Sequence, residues 1–70
     1  MKPGIYRHFK GNLYRVLGVA QQTETQEPLV IYCAEVGPAT WWARPLSMFT
    51  ASVRWPDGVE RPRFDLEEVP

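Results

Sequence analysis

The stretch Trp42-Ala43-Arg44-Pro45 sets a flat indole and a guanidinium two residues apart. In an extended strand, such positions share a face. Arg offers five N–H donors in a rigid fork that matches a carboxylate or phosphate, and Pro45 restricts the backbone at Arg44. An indole beside that fork can stack a base or a proline. The plain alternative is an ion pair between Arg44 and Glu24 or Glu35 of the same chain. His8 and Lys10 repeat the two-residue spacing nearer the N-terminus. His8 is the single histidine and the one imidazole able to serve as a base near neutral pH. Glu24 is a second possible base, although an acid in a polar loop is ordinary. For His8 the ordinary role is a surface or hydrogen-bonded strand residue.

Other chemistries lack their residues. One histidine and one well-separated cysteine do not make a zinc site, so no metal is expected. Gly11, Gly18, Gly37 and Gly58 are isolated turn glycines rather than a phosphate-cradling loop, and no cofactor is expected. Ser47, Thr25 and Cys33 are unlinked to any base and orienting acid, so a hydrolytic triad has no support. Cys33 cannot form an internal disulfide, and it lies in the apolar run Leu29–Ala34, which suits a packed, unreactive thiol. That run falls far short of the ~20 residues that span a bilayer. The N-terminal Met1-Lys2-Pro3-Gly4 lacks a signal-type apolar region. A cytoplasmic, soluble protein without membrane contact is the expectation.

The elements that must carry these residues are short. The chain has 70 residues, seven of them proline and five glycine, and reads as a single domain over 1–70. Aromatic and β-branched residues fill the intervals between breakers, which favours strands over helices. Strands are predicted at Ile5–Lys10, Leu13–Gln21, Leu29–Glu35, Thr40–Arg44, Ala51–Trp55 and Arg63–Leu66, with one helical turn at Leu46–Phe49. Gly18 is read as a bulge or bend. The expected fold is all-β: a small five- to six-stranded SH3-like barrel, with an oligonucleotide-binding-type barrel as the alternative.

Gly11-Asn12 reads as a two-residue hairpin turn. Phe9 then faces Tyr14 and His8 faces Arg15, which puts Phe9, Tyr14 and Val16 in the core and His8, Lys10 and Arg15 outside. In the fourth strand, Ala43 and Trp41 suit the interior, and Trp42 and Arg44 point outward or into a cleft. The expected core is Phe9, Tyr14, Val16, Leu29, Ile31, Trp41, Leu46 and Phe49.

The formal net charge is zero, which disfavours a protein that coats DNA. The charge is nonetheless segregated: +4 over residues 1–23, −3 over 24–36, +2 over 40–63 and −3 in the remainder. Cross-strand ion pairs account for this, or a local basic patch that binds an anion.

The stretches from Lys2 to Asn12, Thr23-Glu24-Thr25, Leu29-Val30-Ile31-Tyr32 and Trp42 to Phe49 resemble a compact bacterial family of unknown function. Its blocks are Y-R-H-x-K-G-N and W-x-R-P-L-x-M-F. The family carries a basic residue or histidine before Thr-Glu-Thr, where this chain has Gln21-Gln22. The resemblance implies a small β-rich protein with no assigned activity, and it supplies no catalytic residue. The matched positions to watch are His8, Lys10, Glu24, Tyr32, Trp42 and Arg44. Together they suggest a non-enzymatic binding module for a small polar or anionic ligand, a peptide or other protein, or a nucleic acid. The alternatives are a structural subunit without a ligand and a small enzyme whose site forms at a homo-oligomer interface.

Overall fold

The computed structural model describes residues 1–68. Seven strands and one helical turn follow each other: β1 (Gly4–His8), β2 (Leu13–Gln21), β3 (Pro28–Ala34), β4 (Trp42–Pro45), α1 (Leu46–Phe49), β5 (Ser52–Arg54), β6 (Glu60–Pro62) and β7 (Phe64–Glu68). Strands β4-β3-β2-β1-β7 form one antiparallel sheet, and β5-β6 form a two-stranded second sheet. The all-β class and the helical turn at Leu46–Phe49 agree with the sequence reading. The sheets do not close into a barrel, because β4 and β7 end the large sheet. Strand β6 was not expected. Pro62 is tolerated there because the strand has a partner on one side only.

The first hairpin differs from the expected two-residue turn. The His8 N–H donates to the Asn12 carbonyl (2.8 Å), and the Gly11 N–H donates to the His8 carbonyl (2.8 Å). The loop is therefore Phe9-Lys10-Gly11, with Gly11 at φ 109°, where a side chain is disfavoured. This moves the register by an odd number of residues, so Tyr6 faces Tyr14 and Arg7 faces Leu13. An odd shift exchanges the two faces of a strand. Tyr6 thus enters the core, His8 joins the inner face, and Phe9 leaves the core for the half-buried loop.

The same exchange occurs in β3. Val30 and Tyr32 are buried, and Leu29 and Ile31 are half-buried. The β2–β3 register shifts between Val16 and Gly18, at the position read as a bulge, and Val16 stays opposite Tyr32. In β4, Trp42 lies opposite Tyr32 and Arg44 opposite Val30, so both share the inner face. Trp41 is 68% exposed and Ala43 is exposed too, which corrects their assignment to the interior.

The core consists of Tyr6, Val16, Val30, Tyr32, Phe49 and Phe64, with Tyr14 and Leu46 packed against it. Phe49 stacks on Phe64 at 3.8 Å between ring centroids. Tyr6 and Tyr32 meet Phe49 edge-on. One helical turn therefore seals the inner face of the large sheet. Beside it, buried Trp55 packs under the Arg61 guanidinium (4.1 Å) and donates its indole N–H to the Pro62 carbonyl (3.0 Å).

Candidate functional site

The aromatic face of the sheet ends in a basic cavity of about 320 Å³. Its wall is formed by His8, Phe9, Lys10, Asn12, Tyr14, Tyr32, Arg44, Arg63 and Phe64. Four of the six positions read from the sequence meet here: His8, Lys10, Tyr32 and Arg44. The end of β1 contributes His8, and the β1–β2 loop contributes Lys10. Strands β3 and β4 contribute Tyr32 and Arg44, and the residue before β7 contributes Arg63.

Arg44 has no carboxylate partner among the described residues. Glu35 is engaged by Arg15 (3.1 Å), and Glu24 accepts a hydrogen bond from Gln22 (3.3 Å). The Arg44 Nε instead donates to the Tyr32 hydroxyl at 3.3 Å. That bond leaves the terminal guanidinium nitrogens and the Tyr32 hydroxyl proton available for another acceptor.

Arg63 is held from both sides by its backbone. Its N–H donates to the Ala51 carbonyl (2.8 Å), and its carbonyl accepts from the Phe9 N–H (3.1 Å). Its guanidinium carbon lies 5.7 Å from the Phe9 ring centroid, and the Lys10 ammonium lies 5.8 Å from the same ring. The buried Arg63 Nε has no hydrogen-bond partner. Sequence reading missed Arg63, because its place depends on contacts with both hairpins rather than on its neighbours in the chain. Asn12 was likewise read only as a turn residue.

The His8 ring packs between Tyr14 and Phe64, with centroids at 6.1 and 4.8 Å. Its Nδ1 accepts the Lys10 backbone N–H at 3.2 Å. An acceptor at Nδ1 places the proton of the neutral ring on Nε2. Burial lowers the His8 pKa below its ordinary value, and the positive charges of Arg63, Lys10 and Arg44 lower it further.

The other two positions stand apart. Glu24 lies in the loop joining β2 to β3, at the end of the ladder where Gln21 faces Pro28. Four residues of β3, about 13 Å of strand, separate that end from Tyr32. The Gln22 side chain organises the loop by accepting the backbone N–H groups of Glu24 and Thr25. Trp42 is 56% exposed and does not line the cavity, although it shares the inner face with Arg44 and Tyr32.

A larger concavity of about 400 Å³ lies across the hairpin, lined by Arg7, Leu13, Ala34 and Val36 among others. Its one charged side chain, Arg7, is already paired with Glu67 at 2.8 Å. The larger space therefore has no free charge to recognise a ligand, and the smaller basic cavity does. No group of three or more metal-binding side chains occurs among the described residues. No helix of these residues is long and apolar enough to cross a membrane.

The sequence matches no curated protein. The fold is similar to a crystal structure of a DUF1653-family protein from Bordetella bronchiseptica, with a TM-score of 0.85 and 33% sequence identity. The likeness covers 100% of this chain and 91% of that one. The family described as "Protein of unknown function (DUF1653)" matches residues 4–66, nearly the whole chain, and the protein belongs to that family.

Proposed function

We propose that the protein is a non-enzymatic binding module that holds the anionic group of a small polar ligand in its basic cavity. The observation that carries this reading is how the cations are partitioned. Arg7, Arg15 and Arg61 are each paired with carboxylates. Five cations make no such pair among the described residues; three of them, Lys10, Arg44 and Arg63, line one cavity, and Lys2 and Arg54 lie outside it. Clustered like charges repel, and a bound anion relieves that repulsion.

The tautomer of His8 disfavours the enzymatic alternative. Its Nδ1 accepts the Lys10 N–H and its Nε2 carries the proton, so taking up a second proton costs the ring that hydrogen bond, which makes it a poor general base. Glu24, the other base considered, is remote from the cavity. In the proposed role, Arg44 anchors the anion, Lys10 and His8 add donors, Tyr32 orients Arg44, and Trp42 forms an outer wall.

Calorimetric titration with inorganic phosphate, paired with thermal melts, tests the proposal. Arg44→Lys is expected to weaken binding at least tenfold and to leave the melting temperature near that of the parent. A large stability loss with unchanged phosphate binding would make Arg44 a structural tie and the protein a structural module.

A further inference from the structure

We infer that the ligand is a phosphomonoester carrying a planar ring, a 5′-mononucleotide, with its phosphate in the cavity and its ring on Trp42. This inference rests on the anion-binding reading and adds the ligand's chemical class.

Charge is the first argument. Three unpaired cations and a neutral His8 surround one space, and no carboxylate lines it. A carboxylate or phosphodiester brings a single negative charge. A phosphomonoester brings between one and a half and two near neutral pH, roughly, and three terminal oxygens. Donor count agrees. Lys10, the Arg44 terminal nitrogens, Arg63, the His8 Nε2–H, the Tyr32 hydroxyl and the Asn12 amide exceed what the two oxygens of a carboxylate can accept.

Size and shape supply the second argument. A cavity of about 320 Å³ stands at the small end of the ligand-pocket range. A phosphate and sugar fit within it, and the attached ring can then extend past its rim toward Trp42. Trp42 and Arg44 share a face two residues apart, about 7 Å along the strand. A ribose separates base from phosphate by a comparable length. The Trp42 indole is 56% exposed at that position and offers a face for stacking.

Calorimetry on the full chain with AMP, inorganic phosphate, adenosine, dimethyl phosphate and acetate tests the inference. AMP is expected to bind at least tenfold more tightly than inorganic phosphate, and dimethyl phosphate and acetate at least tenfold more weakly than inorganic phosphate. Trp42→Ala is expected to cut the AMP affinity at least tenfold and so to remove most of the preference for AMP over inorganic phosphate. Acetate binding as well as inorganic phosphate would overturn the phosphomonoester inference and leave the anion site standing. AMP binding no better than inorganic phosphate, or adenosine binding as well as AMP, would overturn the nucleotide inference. No binding by any anion would overturn both readings. A 5′-phosphorylated oligonucleotide serves as a further arm: if it outcompetes AMP while its 5′-hydroxyl counterpart does not, the phosphate belongs to a nucleic-acid end, and the mononucleotide assignment fails.

Discussion

Arg44 and His8 illustrate two kinds of residue-level information. The value of Arg44 was visible in its type and in the proline after it, because a guanidinium fork matches the geometry of a carboxylate or phosphate. Its partner was not visible. Glu24 and Glu35 were equally plausible on paper, and the choice of Tyr32 depends on the β3–β4 register. A charge-assisted contact of this kind contributes about 1.5–3 kcal/mol, so loss of the fork in Arg44→Lys corresponds to roughly ten- to hundredfold weaker anion binding. His8 gives a pH prediction. It faces Lys10 from the β1–β2 loop, Arg44 from β4 and Arg63 from the residue before β7, with Tyr14 as the other titratable residue in ring contact. Its pKa is lowered in the folded protein, so on acidification the unfolded chain takes up the proton first. Stability from this group is complete above the ordinary histidine pKa and declines as pH falls through that value toward the lowered folded one. Sulfate stays a dianion over this range, and its binding is expected to tighten on acidification and to raise the His8 titration midpoint. An NMR titration of the His8 ring with and without sulfate checks both. A His8→Gln variant should lose the pH dependence of sulfate binding.

The elements explain where sequence reading succeeded and where it did not. Breaker density and aromatic intervals gave the strands and the helical turn, because those signals are local. The faces of β1 and β3 are a different matter. The segment Phe9-Lys10-Gly11-Asn12 is compatible with a two-residue turn and with a three-residue turn, and the two put opposite residues in the core. The run Leu29–Ala34 is apolar on both faces, so no alternation marks Val30 and Tyr32 as the inner pair. Arg63, the wall residue that sequence reading missed, leads directly into β7, and Gly4 controls the approach of that strand. A Cβ at Gly4 would collide with the Glu68 carbonyl oxygen, and its φ of +150° disfavours any side chain. Gly4→Ala is therefore expected to cost about 1–3 kcal/mol from backbone strain and to loosen β7 from β1. Hydrogen exchange should then rise in Phe64–Glu68 and anion affinity should fall. Phe49, by contrast, ties α1 to the inner face of the large sheet. It is fully buried and stacked on Phe64, and Phe49→Ala is expected to cost about 3–5 kcal/mol in chemical denaturation. That is as much as a core of this size supplies, so the variant should be largely unfolded.

At the scale of the whole molecule, a net charge of zero conceals the basic cavity. The segregated charge along the chain has two sources. Cross-strand and local pairs absorb Arg7, Arg15 and Arg61, and exposed pairs of this kind contribute little to stability. The remaining cavity cations come from three separate parts of the chain, and only the folded topology brings them together. No summation over the sequence could reveal that convergence. Backbone NMR mapping with inorganic phosphate is the most direct test of the basic cavity as a binding site. Saturable shifts confined to His8, Lys10, Asn12, Tyr32, Arg44 and Arg63, and absent in an Arg44→Gln, Arg63→Gln double variant that still folds, are the expected result. Weak, non-saturating shifts spread over all the arginines, Arg54 and Arg61 included, would contradict the account.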